Sequence, residues 1–206
     1  MIERFIEKAR IAGAEVERVA DPRAAADFIR EFLKKNDLRT ALISPDLKLR
    51  PPFDREFAGT GTALGADSTA AGAPGFARGS TSAVLDRGLY PRASGEPEAR
   101  PLIWVDAGIV AADHGVAETG TLVHFDRSDA EKNVWTLPEV CICLLEARAV
   151  TASLDDLAPA FAAHLGRTDI PSPQVSLVTG PSRTADIEGQ LTIGVHGPSR
   201  LIVLLT

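Results

Sequence analysis

Ala14-Glu15-Val16-Glu17-Arg18-Val19-Ala20, Asp21-Pro22 and Thr40-Ala41-Leu42-Ile43 set out a strand, a helix start and a second strand in one short span. The first run alternates apolar with polar residues, as a half-buried strand does. Asp21 offers a side-chain acceptor to the free amides of a first helical turn, and Pro22 has no amide hydrogen to lose there. The pair therefore opens a helix that runs through about Lys35. Thr40 to Ile43 is the next strand, ended by Ser44-Pro45. This rhythm predicts an open, doubly wound α/β sheet rather than a sandwich or a bundle.

Working outward, Ile2, Phe5, Ile6 and Ala9 recur at helical spacing, so residues 2–11 read as a helix that Ala12-Gly13 stops. Apolar runs at 102–110, 121–125, 140–149, 175–179 and 201–205 read as further strands. Ser153-Leu154-Asp155-Asp156 supplies a cap and acids for a helix reaching Leu165, with Gly166 as its stop. Residues 58–82 break the rhythm, being nearly all Gly, Ala, Ser and Thr. Such a stretch buries little and reads as a mobile loop or lid. Its Gly59, Gly61 and Gly65 match neither the dinucleotide fingerprint nor a phosphate loop with Lys-Ser/Thr. The chain reads as one α/β domain over 1–206, with an atypical insertion at about 54–100.

Composition narrows the function classes. The 206 residues are 45% apolar and 24% charged, enough for a full core, and the net charge is −6 with acids and bases interspersed. No basic stripe points to a nucleic acid or an anionic membrane, and no run reaches membrane-spanning length. The N-terminus carries acids where a secretory signal has an apolar region, so a cytoplasmic protein is expected. Cys141 and Cys143 are the chain's two cysteines. Two residues apart on a strand, they read as small apolar residues, too few for an iron-sulfur cluster or structural zinc. No ligand cluster suggests a metal, and His124 and His164 read as strand and helix residues.

Polar chemistry concentrates in Gly180-Pro181-Ser182-Arg183-Thr184-Ala185-Asp186-Ile187-Glu188-Gly189 and Gly194-Val195-His196-Gly197-Pro198, between two apolar strands. If a helix starts at Thr184, the turn at Gly180, Ser182 and Arg183 offers free amides and a positive helix end at the carboxyl edge of the sheet. Arg183 can grip a carboxylate or phosphate by paired N–H bonds, with Ser182 and Thr184 as hydroxyl donors. The competing reading makes Ser182 or Thr184 a cap and gives Arg183 a nearby acid. Asp186 and Glu188, two apart, diverge on a helix and are helix-dipole partners rather than a carboxylate pair. His196, between Gly194 and Gly197, reads either as a proton relay or as a hydrogen-bonded turn histidine. Glu118-Thr119-Gly120-Thr121 brings a carboxylate and two hydroxyls to a strand edge; Glu118 there is either a base or nucleophile, or a residue that fixes the turn. Asp113 and His114 can pair with each other or with His196.

Two segments carry a family resemblance. Ala112-Asp113-His114-Gly115-Val116-Ala117-Glu118-Thr119-Gly120-Thr121-Leu122-Val123 resembles the A-D-x-x-I-A-E-T-G-T-L-V signature of the lactate-utilisation (LUD) domain family. Gly180 to Glu188 and Gly194 to Pro198 resemble its G-P-S-R-T-A-D-I-E and G-V-H-G-P signatures, in the order of the stand-alone C-type members. The resemblance implies a Rossmann-like open sheet with flanking helices, the fold of glucosamine-6-phosphate deaminase (NagB), ribose-5-phosphate isomerase (RpiA) and CoA transferases. It also implies a part in bacterial oxidation of L-lactate to pyruvate beside A-type and B-type iron-sulfur proteins. The redox cofactors are then the partners' and none is bound by this chain; a non-catalytic assembly subunit and an independent CoA-transferase or sugar-phosphate isomerase are the other readings. On this resemblance Glu118 and His196 are candidate catalytic residues. Thr119, Gly120, Thr121, Gly180, Ser182, Arg183, Thr184, Asp186, Glu188, Gly194 and Gly197 are candidate ligand-binding residues. The chain departs from the family at Cys141, where a histidine is common, and over 54–100.

Overall fold

The computed structural model describes residues 1–38, 40–44, 47, 61–63, 83–86, 105–127, 129–185 and 191–206. In chain order its elements are α1 (Ile2–Ile11), β1 (Glu15–Arg18), α2 (Pro22–Lys35), β2 (Thr40–Ile43), β3 (Gly61–Ala63), β4 (Ala83–Asp86) and β5 (Ala107–Ala111). There follow β6 (His114–Val116), β7 (Thr121–Asp126), α3 (Asp129–Thr136), β8 (Val140–Leu145), β9 (Val150–Thr151) and α4 (Ala158–Leu165). Last come β10 (Gln174–Val178), β11 (Arg183–Thr184), β12 (Thr192–Ile193) and β13 (Arg200–Leu205).

The opening span folds as its sequence dictates. Asp21 accepts a hydrogen bond from the Ala24 amide at 2.8 Å, and Pro22 starts α2. The central sheet runs β1-β13-β8-β5-β2-β4-β3, with β1 to β2 parallel and β4 and β3 added antiparallel. Strands β8 and β13, buried on both faces, are continuous apolar runs, as expected inside a parallel sheet. Alternation sorts their side chains into two cores. Cys141, Cys143, Leu201, Val203 and Leu205 face α1, α3 and the second sheet, while Val140, Ile142, Leu144, Ile202 and Leu204 face α2. The cysteines therefore act as core residues: burial pushes the Cys141 thiol up to about 12 and the Cys143 thiol well above its ordinary value.

The second sheet, β10-β7-β6-β9, lies over the α1 face of the first. The run at 175–178 is thus a strand, but one of this smaller sheet, antiparallel to β7. Its outer side meets α4 through Val116, Val123, Leu157, Phe125, Phe161 and Val175. Ser153 does not cap the helix after it; its own amide donates to Asp156 Oδ2 at 2.9 Å, and a 3-10 turn precedes α4. Gly61–Ala63, inside the stretch expected to be a mobile loop, is a strand whose backbone pairs with β4. Ladder pairing satisfies its amides and carbonyls without demanding large side chains.

Candidate functional site

The two signature segments meet at the last turn of α1. Gly120, at φ 71°, lies so close to it that an added Cβ would sit 2.2 Å from the Ala9 nitrogen. Gly180, at φ 74°, likewise leaves room for the Ala12 carbonyl, which a Cβ would meet at 2.1 Å. Only glycine combines that φ with so close an approach. Between them a chain of hydroxyls runs from Thr119 Oγ1 to Thr121 Oγ1 and on to Thr179 Oγ1, each step 2.7 Å. Thr121 is buried, whereas Thr119 and Thr179 are exposed, so the chain opens to solvent at both ends. The Arg183 guanidinium donates to the Ala12 carbonyl, capping the negative end of α1.

This differs from the sequence expectation in two respects. No helix starts at Thr184: Arg183–Thr184 is a short strand paired with Thr192–Ile193. Of the turn amides expected at a helix N-terminus, that of Ser182 is spent on closing the loop, donating to Pro198 O, and the Ser182 carbonyl accepts from Gly194 N. The loop also lies at the amino edge of the central sheet, because Ser199 and Arg200, at the start of β13, donate to Glu139 just before β8. The reason is topological. Strand β10 belongs to the second sheet, so the loop after its carboxyl end leads back to the amino end of β13.

Ser182 and Gly197 are in contact range across this loop, and Gly194 and Gly197 both take positive φ. His196 and Glu118 are exposed, and neither side chain makes a hydrogen bond or ion pair among the described residues. Asp186 and Glu188 lie outside the described residues.

A second cluster, at the carboxyl end of β5, escaped the sequence reading. Asp113 pairs neither with His114 nor with His196. It faces His124, whose Nδ1 lies 3.1 Å from the Ala111 carbonyl and 3.3 Å from Asp113 Oδ2. A carbonyl only accepts, so Nδ1 carries the hydrogen. Asp113 Oδ2 also accepts from the Phe125 amide at 2.7 Å, and Arg127 Nη2 stands 3.5 Å from Oδ1. Burial opposes ionisation of Asp113, but the His124 hydrogen bond, the Phe125 amide and the charges of His124 and Arg127 together hold it below its ordinary value. Asp126, also buried, goes the other way: burial raises it despite the Ser176 hydroxyl donating to Oδ2. His124 and Asp126, two apart on β7, point together toward the core, and that i, i+2 spacing was the signal available in the sequence.

The chain belongs to the LUD domain family, whose pattern it matches over residues 2–206. Among curated relatives, it is 36% identical over 115 residues to "Lactate utilization protein C" of Exiguobacterium sp., 54% of this chain and 50% of that one. It is 29% identical over 98 residues to "Uncharacterized protein YkgG" of Escherichia coli, 48% of this chain and 42% of that one. These matches span about half the length of the curated relatives. The crystal structure of a DUF162 family protein from Deinococcus radiodurans has the same fold, with a TM-score of 0.56 at 17% identity over 99% of this chain and 94% of that one. Among the described residues no helix is long and apolar enough to cross a membrane.

Proposed function

We propose that this chain is a component of a bacterial system oxidising L-lactate to pyruvate, that it binds a small carboxylate, and that partner iron-sulfur proteins supply the redox chemistry. The observation that carries the reading is the meeting of the two signature segments at one open-ended row of hydroxyls. Two of the three hydroxyl protons are spent within the row, so the row offers one donor to a carboxylate, from Thr119 or Thr179 at an open end. Arg183 spends one of its five N–H donors on Ala12, and an exposed guanidinium with the others in hand suits a small anion. Ser182 lines the same loop. Glu118 and His196 are the groups proposed to exchange a proton with the ligand. Calorimetry with lactate, pyruvate and inorganic phosphate tests the site. Arg183→Ala and Thr121→Val should each weaken carboxylate binding, Arg183→Ala by about tenfold or more, as loss of a charged hydrogen bond does. Equal binding by wild type and variants, or no binding by either, overturns the site.

A second reading, a subunit that only assembles the system, is favoured by four exposed apolar side chains in and beside the same segment, Leu177, Leu191, Ile193 and Val195. Protein interfaces bury such side chains.

A further inference from the structure

The His124 cluster holds two unmet polar atoms that face each other. His124 Nε2 and Asp126 Oδ1 are both buried with no hydrogen-bond partner, and they lie 3.6 Å apart. His124 is 1% exposed and Asp126 2%. An unmet buried polar atom costs about 1–3 kcal/mol, so two opposed across one gap imply that something joins them. A bridging water sits about 2.8 Å from each partner at an open angle, which sets the partners farther apart than this. The gap is only slightly longer than a direct hydrogen bond.

We propose that His124 Nε2 and Asp126 Oδ1, neighbours on one face of β7, hold one proton between them, and that the cation so formed is what Glu131 and Trp135 of α3 pack against. The carboxylates facing the pair support that proton, and the cations near them oppose it only in part. Asp113, from the link between β5 and β6, stands on the other side of the ring. From α3, Glu131 Oε2 lies 3.9 Å from Nε2, and Lys132 adds a more distant positive charge to Asp126. Arg127, after β7, neutralises Asp113 and Glu131 only in part, with contacts of 3.5 and 3.8 Å. Cys143 of β8, also near Asp113, keeps its proton. Three carboxylates thus surround one imidazole, with one guanidinium beside them and an ammonium farther off, and a positive charge on the ring reduces the imbalance. It also turns Nε2 from an acceptor facing acceptors into a donor. The burial that raises Asp126 acts in the same direction.

Around the pair, α3 also meets the second sheet where Lys132 Nζ donates to Gln174 Oε1 of β10 at 2.9 Å. Asp126 is held by Ser176 of β10, Glu131 Oε2 accepts the Arg127 amide at 2.8 Å, and the Trp135 ring of α3 lies 5.2 Å from the imidazole. Loss of the proton leaves Nε2 and two carboxylates opposed as acceptors, and α3 loosens.

Trp135 reports the event, because a protonated imidazole beside an indole quenches its emission. In a Trp104→Phe background, which leaves Trp135 as the chain's sole tryptophan, emission should rise as pH is raised from about 5 to about 9. Asp126→Asn and His124→Gln should abolish the rise. Nitrogen-15 spectra of the wild-type ring at about pH 7 should show a hydrogen on both ring nitrogens. A flat emission profile, a rise unchanged by Asp126→Asn, or a bare Nε2 in the wild-type spectrum overturns the proposal. The last measurement needs no variant to fold.

Discussion

At the scale of single residues, the structure separates side chains that hold the backbone in place from those left for chemistry. Gly180 belongs to the first kind. Gly180→Ala forces an L residue into the left-handed region and drives its Cβ against the Ala12 carbonyl, 2.1 Å away. The strained φ alone costs about 1–2 kcal/mol and the clash adds to it, so we expect a loss of at least about 2 kcal/mol. For a chain of this size that lowers the melting temperature by roughly 4–8 °C, measurable by calorimetry. Asp113 gives a prediction with a defined pH sign. Its folded-state value lies below the ordinary 3.8, so its ionised form stabilises the fold above the unfolded value, and that stability is lost as pH falls through the folded one. Asp113→Asn should therefore destabilise the protein at neutral pH by about 1–3 kcal/mol. The deficit should shrink below about pH 4. Urea midpoints of both proteins across that range decide it, and a deficit constant with pH refutes the assignment.

At the scale of elements, β13 ties the two cores together. Leu204 is fully buried toward α2 and Val203 toward α1 and the second sheet. Leu204→Ala removes a side chain from a site walled by neighbouring strands and should cost about 2–5 kcal/mol in chemical denaturation, with Val203→Ala costing less. Elements of this kind were legible in the sequence because local signals and burial agree there. Asp21-Pro22 fixes α2, the uninterrupted apolar run fixes β13, and alternation fixes β1. The stretch after β10 was not legible, since Arg183-Thr184 has the hydroxyl and acid neighbours of a helix start. Its conformation is set instead by pairing with Thr192-Ile193 and by Ser182 closing on Pro198, contacts that no local pattern encodes. The His124 cluster was hidden for a related reason. Asp113, His124, Glu131 and Ser176 come from separate elements, and only tertiary packing makes them neighbours. The candidate turns themselves, Glu118 to Thr121 and Gly180 to Arg183, were recognisable as motifs. Their meeting on α1 was not.

At the scale of the whole molecule, the described surface combines a polar opening with exposed apolar side chains in the segment that also carries the second signature. Leu191 is 63% exposed, Ile193 52% and Leu177 49%, values at which substitution changes folding stability by no more than about 0.5 kcal/mol. Their cost to the isolated chain is therefore small, and their value lies in what covers them. On the proposed function the cover is a partner protein of the same system. Leu191→Ser combined with Ile193→Ser should then leave the melting temperature almost unchanged while weakening co-purification with the partners by about tenfold or more, as loss of central apolar contacts does. Arg183→Ala should leave co-purification intact and reduce carboxylate binding alone. Loss of co-purification in Arg183→Ala, with retention in the double variant, would put the interface on the turn and remove the ligand from it.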